Sequence, residues 1–427
     1  MSCCSMSLSD LSHPPPSPPA TAVPAPLWAP LKITEFRKLY GALFITMVGG
    51  WMNGIGCSWL MTSLDSSAIM LGLVQASFML PGIFLSLPAG VLADKTDRRR
   101  LILILSVVMM AVSINLAVMA YVGWIGPWSL LAHTLAMGSI FALQSPAMLS
   151  VIQDLVRRDL LPQALTLNSI SLNVGRSIGP VIAGVLISSF GAAAAFFVNS
   201  IGYAALASVF VGRRKPDLRQ HARETFMTAL LNGLRFAFTE KRFRGMLIRL
   251  LLFLTCGSAL LTLMPLVAKD MLGGGPGTFG TLVTWVGIGA VIAAFGRGRL
   301  ASRITPEIHV HISVVIATLS YVGLSFAENL SQACMAAFFY GLAWTNATIT
   351  YQVATQLSLP NTMRGRGASL FIMTFGAGMM FGGLIWGFVA DLAGMKIALI
   401  SAGIGTLILN VLTAGFSLRY AEPPSDS

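Results

Sequence analysis

Charged residues are scarce in this chain of 427 residues. They make up only 10% of it, whereas a soluble globular protein has about a quarter. Hydrophobic residues account for 55% of the chain, and the mean hydropathy is +0.76. A composition this apolar excludes a water-soluble globule, so the sequence predicts a polytopic membrane protein.

Motifs for catalysis and ligand chemistry are also missing. There is no Gly-Lys-Ser/Thr phosphate loop and no nucleophile elbow, and the five cysteines have neither metal nor disulfide spacing. We therefore expect no enzymatic activity, no cofactor and no metal. The net charge of +12 is scattered over short loops between apolar runs, which is a topology signal and not a footprint for nucleic acid.

Twelve apolar runs have the ~20 residues that a helix needs to cross a bilayer. They cover about residues 39–62, 68–92, 101–123, 127–149, 164–190, 191–212, 246–269, 276–296, 309–328, 330–357, 367–390 and 394–417. Of the 28 Lys and Arg residues, 25 lie in loops on one face or in the tails; Arg176 lies within a run, and Lys269 and Lys396 lie on the other face. The excess of positive charge predicts that this face and both termini are cytoplasmic, in the cell inner membrane.

The chain also repeats itself after 203 residues. This shift superposes Gly175 on Gly378, Gly179 on Gly382, Gly184 on Gly387 and Gly191 on Gly394. Such a parallel duplication predicts two halves related by an axis along the membrane normal. The predicted divisions are a Pro-rich disordered cytoplasmic tail (1–30), an N-terminal six-helix bundle (31–212), a cytoplasmic linker (213–245), a C-terminal six-helix bundle (246–417) and a cytoplasmic tail (418–427). Within the linker, residues 222–245 are predicted to form an amphipathic helix. We expect a monomer.

A short charged turn separates the second and third runs. It contains Gly90, Asp94, Lys95, Arg98, Arg99 and Arg100. The small Gly90 lets a neighbouring helix approach, and Asp94 can interact with the positive end of a neighbouring helix or with an arginine.

This pattern, Gly-x-x-x-Asp-Lys-x-x-Arg-Arg-Arg, resembles the signature loop of the major facilitator superfamily. Asp97 stands where that loop usually has glycine, which looks like the branch of transmembrane secretion effectors that includes enterobactin-exporter-like carriers. The resemblance implies an all-α membrane protein with twelve transmembrane helices in two six-helix pseudo-symmetric halves. It implies a secondary carrier that exports a small organic molecule (a siderophore, a drug or another amphipathic metabolite) by alternating access and in exchange for protons. The loop would secure the outward-open state, so Asp94→Asn should impair turnover more than binding.

The fifth run contains a motif of small residues and one charge. Its members are Gly175, Arg176, Gly179, Pro180 and Gly184. The motif resembles the Gly-Pro motif of the exporting antiporters in the superfamily, which implies outward transport; the alternative is a packing face without directional meaning. Arg176 is costly inside a membrane, so it should face the cavity or a partner, where it could hold an anionic or oxygen-rich substrate or bond to backbone and amide groups.

Runs one, four, seven and ten line the cavity in the fold that the resemblance implies. They supply the candidate substrate residues Trp51, Asn53, His133, Gln144, Tyr340, Trp344, Asn346 and Gln352, with Trp59 and Tyr351 beside them. Each could instead be a packing or interface residue. No Asp or Glu lies mid-run, so His133 is the candidate proton carrier, with a hydrogen-bonded packing role as its alternative.

Two other classes of function stay open from the sequence. One is an importer or flippase of a lipid-like substrate, and the other is a non-transporting receptor or scaffold built on the same fold. The sequence does not name the substrate, because specificity lies in the shape of the cavity.

Overall fold

A computed structural model describes residues 26–65, 67–211, 240–300, 304–358, 364–416 and 418. The predicted N-terminal tail lies mostly outside these ranges, as do the linker up to residue 239 with most of its amphipathic helix, and most of the C-terminal tail. The described part is helical and contains no β-strand. Its twelve long helices are α1 (Thr34–Leu64), α2 (Ala68–Lys95), α3 (Arg98–Val122), α4 (Pro127–Leu155), α5 (Leu161–Phe190), α6 (Ala192–Phe210), α7 (Lys241–Leu266), α8 (Pro276–Leu300), α9 (Pro306–Ser325), α10 (Leu330–Leu357), α11 (Arg364–Ala393) and α12 (Met395–Leu412).

Each helix overlaps one predicted apolar run. Several extend three to six residues further at the predicted cytoplasmic face, because charged residues continue a helix beyond the hydrocarbon core; α7, for example, begins at Lys241, within the predicted linker. Two kinds of residue end the helices at the tight connections between them. Gly191 and Gly394, which the 203-residue shift superposes, both have a positive φ that favours glycine, and Asn329 accepts a hydrogen bond from the Gln332 amide to cap α10.

Ten of the described helices are long and apolar enough to cross a membrane on length and composition. The other two are α1 and α10, which have 31 and 28 residues and contain polar residues such as Asn53, Asn346 and Gln352. The resemblance to the superfamily implies that both of these helices line the central cavity, together with α4 and α7. A lower hydropathy is what a helix facing a hydrated space should have.

The two halves pack in the same way. Helix α4 lies against α2, where Gly138 meets the carbonyl of Phe78; α10 lies against α8, where Gly341 meets the carbonyl of Val286. Gly138 and Gly341 are 203 residues apart, so the repeat in the sequence is a repeat in packing. Each half is held by backbone contacts at small residues, which replace a hydrophobic driving force inside lipid.

The halves meet along two helix pairs, α2 with α11 and α5 with α8. At the first pair Gly72 faces Gly383, and at the second Gly184 faces Gly280. These glycines lie near the ends of the helices opposite the termini of the chain. The named contacts therefore join the halves toward the predicted outer face.

Candidate transport site and gates

The glycine motif of α5 serves two different interfaces. Gly175 and Gly179 pack against Met47, Val48 and Trp51 of α1, inside the N-terminal half. Gly184 instead packs across the molecule: a Cβ there would lie 2.8 Å from the Cα of Gly280. The motif thus binds α5 to its own half along most of its length and to the other half at its end.

The repeat of this motif in α11 makes the equivalent contacts. Gly378 and Gly382 pack against α7 in the C-terminal half, next to Leu254 and Ser258. Gly387 crosses to the other half, where a Cβ would lie 2.7 Å from the Ala68 carbonyl of α2. Two backbone crossings of the same type therefore join the halves on either side of the molecule.

Arg176 and Trp51 lie together near the α1–α5 contact. Arg176 directly follows Gly175, which packs on α1, and Pro180 directly follows Gly179, which touches the Cβ of Trp51. Trp51 is 41% exposed and Arg176 is half-buried. Trp51 lies about three helical turns before Thr62, so the two residues lie on the same face of α1. The outer end of α1 contacts the C-terminal half at Thr62, whose carbonyl accepts a hydrogen bond from Lys269. The structure thus places these two sequence-predicted residues next to the same contact of α1 with α5.

Aromatic side chains fill the core of the C-terminal half. Tyr340 stacks on Trp344, and Trp344 stacks on Phe253 with ring centroids 5.6 Å apart. The Tyr340 hydroxyl donates to the Gly257 carbonyl of α7 (2.6 Å). Tyr340 and Trp344 are buried here, so the structure places these two predicted cavity residues within a packed contact of α7 with α10.

The predicted polar residues of α4 and α10 bond to neighbouring helices of their own halves. Gln144 Nε2 donates to the Ser106 hydroxyl of α3 (2.8 Å), and Asn346 Nδ2 donates to the Ser313 hydroxyl of α9 (2.8 Å). The two contacts join corresponding helix pairs of the two halves, although the 203-residue shift does not superpose the residues themselves. Asn53 is also buried, and its Nδ2 contacts Met137 Sδ at 3.3 Å. Gln352 is exposed at the predicted cytoplasmic end of α10.

His133 lies between α4 and α3. Its Nδ1 is 2.7 Å from the Ser129 carbonyl, and its Nε2 is 2.7 Å from Asn115 Oδ1. A carbonyl only accepts, so Nδ1 carries a proton in this arrangement. The Asn115 amide can present either its oxygen or, after rotation, its nitrogen, and so it can satisfy the imidazole in both charge states.

The charged turn between α2 and α3 is built around Asp97. This side chain caps α3 by accepting hydrogen bonds from the backbone amides of Arg99 and Arg100 at 3.0 and 3.3 Å. The cap gives a structural reason for an aspartate at the position where the signature loop usually has glycine. Arg98 pairs with Asp154 of α4 (3.2 Å). Gly90 is half-buried in α2, and the side chains of Asp94 and Lys95 lie outside the described part.

Two charged residues that no sequence motif marks connect the halves. Asp391, at the end of α11, accepts hydrogen bonds from Ser67, Ala68 and Ile69 at the start of α2. Lys269, in a π-helical turn after α7 (Val267–Met271), donates to the Thr62 carbonyl of α1. The sequence could have drawn attention to Lys269, because it is one of only two basic residues assigned to the predicted outer face.

The chain has the major facilitator fold: its two six-helix halves repeat each other and meet along two helix pairs, α2 with α11 and α5 with α8. Proteins of this fold and family are secondary transporters and not enzymes. A family profile described as transmembrane secretion effector matches residues 25–426, so the chain belongs to that family.

Relatives in the family transport siderophores. The chain is 25% identical over 379 residues to the staphyloferrin A transporter of Staphylococcus aureus, covering 88% of this chain and 94% of that protein. It is 27% identical over 391 residues to an enterobactin exporter of Escherichia coli, covering 88% and 90% of the two chains.

Solved structures share the fold at lower identity. The nucleoside transporter NupG matches with a TM-score of 0.74 at 16% identity, covering 90% of this chain and 98% of that one. A bacterial homologue of the lysosomal transporter Spinster matches with a TM-score of 0.70 at 13% identity, covering 91% and 96%.

Proposed function

We propose that this protein exports a siderophore-like small organic molecule from the cytoplasm by alternating access, in exchange for protons. The siderophore carriers among its relatives support this substrate class, since they match most of their own length and most of this chain. The bundles 31–212 and 246–417 would act as two rigid bodies that rock about the substrate.

The observation that carries the proposal is where the halves meet. The cross-half contacts of Asp391, Lys269 and Gly184 all lie at the end opposite the chain termini. If the termini are cytoplasmic, as the distribution of Lys and Arg predicts, this end is the outer one. An exporter in this state has its outer side closed and takes up substrate from the cytoplasm.

Arg176 and Trp51 are the proposed contacts with substrate. A planar guanidinium gives paired hydrogen bonds to carboxylate or other oxygen-rich groups, as an iron-chelating molecule would offer. Trp51 adds a partly exposed aromatic surface next to it. Both residues lie near the contact of α1 with α5, the helix that also meets the C-terminal half through Gly184.

His133 is the proposed proton carrier. Every acidic residue in the twelve long helices of the described part lies in the first or last turn: Glu35, Asp94, Asp154, Glu307 and Asp391. The described spans therefore have no carboxylate in their middle that could carry the proton. Asn115 can hydrogen-bond to the His133 imidazole in either protonation state, by presenting its amide oxygen or its amide nitrogen.

Transport into inside-out membrane vesicles tests the proposal. Vesicles with the protein should accumulate labelled enterobactin or staphyloferrin A when acidified inside, and vesicles with Arg176→Gln should not. Accumulation in right-side-out vesicles would favour an importer, and movement of fluorescent lipid analogues alone would favour a flippase. No movement of any substrate by reconstituted protein that is shown to be folded would favour a receptor or scaffold.

The topology needs its own test, because the direction of transport depends on it. Reporter fusions after residues 239 and 427 should be active only as cytoplasmic reporters. A periplasmic signal from either fusion would reverse the assignment of the closed side and remove the argument for export.

A further inference from the structure

The turn between α1 and α2 is held by two charges of opposite sign from the other half. Helix α1 ends at Leu64 and α2 begins at Ala68, so the negative end of one helix and the positive end of the next lie side by side. Lys269 bonds to the first and Asp391 to the second. Each charge therefore meets the helix end that attracts it.

Asp391 uses both carboxylate oxygens. Oδ1 accepts from the Ala68 amide (2.6 Å), and Oδ2 accepts from the Ile69 amide (2.9 Å) and the Ser67 hydroxyl (2.6 Å). These amides belong to the first turn of α2, where no helical carbonyl is available to them. A side chain 322 residues further along the chain thus caps α2 in place of a local residue.

Lys269 makes the complementary contact. Its ammonium donates to the carbonyl of Thr62, in the last turn of α1, where carbonyl groups have no helical partner. It stands in a single π-helical turn that directly follows α7. Such turns often occur at functional sites, and this one carries the cation to the interface.

We propose that Lys269 and Asp391 form a clamp that holds the outer side closed, and that both contacts break each time the transporter opens outward. The proposal rests on the alternating-access mechanism proposed above. In that mechanism the α1–α2 turn moves with the N-terminal half, while both clamp residues move with the C-terminal half. Outward opening must therefore expose two helix ends that the clamp now satisfies.

Three other residues near the predicted outer face have different surroundings. Asp270, next to Lys269, is exposed, and Lys396 lies 5.8 Å from the ring centroid of Phe326 in its own half. Ser188 takes the place of Asp391 in the repeat, and its hydroxyl donates to the Val185 carbonyl of its own helix. The clamp is thus specific to one of the two crossings between the halves.

Spin-label distances in the substrate-free, full-length protein test the clamp. Labels at Ser63 and Leu392 report the outer opening, and labels at Gln153 and Lys241 report the inner one; Cys3 and Cys4 are first replaced by serine. Asp391→Ala and Lys269→Met should each raise the ratio of outer-open to outer-closed protein about fivefold, the scale of losing a helix cap. The inner distance should shorten in the same samples.

Matched controls make the result specific. Asp270→Ala and Lys396→Met remove the same charges from the same face and should leave both distances unchanged. Outer distances that stay at the wild-type value in both clamp variants would refute the clamp, even in a protein that transports. Shifted distances in a protein that moves no siderophore would support the clamp and count against the proposed substrate.

Discussion

Two glycines offer a direct test of whether the halves move as rigid bodies. Gly72 of α2 faces the Gly383 carbonyl across the two halves, and Gly138 of α4 faces the Phe78 carbonyl within one half. A Cβ at either position would lie the same distance from that oxygen, well under 3.0 Å, where real side chains essentially never lie. The two alanine substitutions thus impose the same clash at different kinds of contact.

The magnitude follows from overpacking. Backbone atoms cannot rotate away as a side chain can, so each alanine forces two helices apart at a cost of about 1–3 kcal/mol. For Gly138→Ala every conformation keeps the contact, so the loss falls on folding stability. For Gly72→Ala only the outer-closed state keeps it, so about 1.4 kcal/mol would shift the conformational ratio roughly tenfold toward outer-open, and the loss of stability should be smaller than for Gly138→Ala because outer-open protein escapes the clash.

Two measurements on each variant separate these outcomes. Thermal unfolding in detergent should show a clear loss for Gly138→Ala and a small one for Gly72→Ala. The Ser63 to Leu392 distance should lengthen only in Gly72→Ala. If Gly72→Ala unfolds as readily as Gly138→Ala and keeps the wild-type distance, the α2–α11 contact is a permanent part of the fold and the rocking mechanism fails.

Three further predictions concern single charged or titratable residues. His133→Gln should abolish proton-driven transport but keep substrate exchange without a gradient; pH-driven uptake at the wild-type rate would refute its role. Arg176→Lys keeps the charge but loses the planar fork, so the apparent affinity should fall about tenfold, the scale of one charge-assisted hydrogen bond, in the vesicle assay. Arg249 is 1% exposed and donates to Asn410 Oδ1 and the Phe416 carbonyl, so Arg249→Met should cost about 1.5–3 kcal/mol of stability in thermal unfolding, whereas the exposed Arg242→Met should cost little.

The fold was predictable because its signals are local. Apolar runs of about twenty residues set the number and positions of the helices, and single residues set their ends. Helix α5 ends at Phe190 because Gly191 adopts a positive φ, and α10 begins at Leu330 because Asn329 caps it. The fold class inferred from the signature turn is confirmed by the fold and by the family of the chain.

The site was less predictable because it depends on which face of a helix turns inward. Tyr340 and Trp344 lie on a helix expected to border the cavity, yet they pack against α7. A helix without a marked polar face does not reveal its rotation in the sequence. The clamp could not be predicted from the sequence for another reason. Asp391 and Ala68 are far apart in the chain, and they come into contact only when the outer ends of the two halves come together.

Helix α2 links the two sides of this mechanism. At its outer end the first amides bind Asp391, and at its inner end Asp94 stands one residue before the last, in the turn that resembles the superfamily signature. The helix has 28 residues, so it is long enough to reach from one face of the membrane to the other, although Pro81 and Pro88 lie within it. A rotation that withdraws its outer end from α11 brings its inner end toward the other half. The clamp and the signature turn would then be occupied in alternation, each stabilising the state in which the opposite side of the transporter is open.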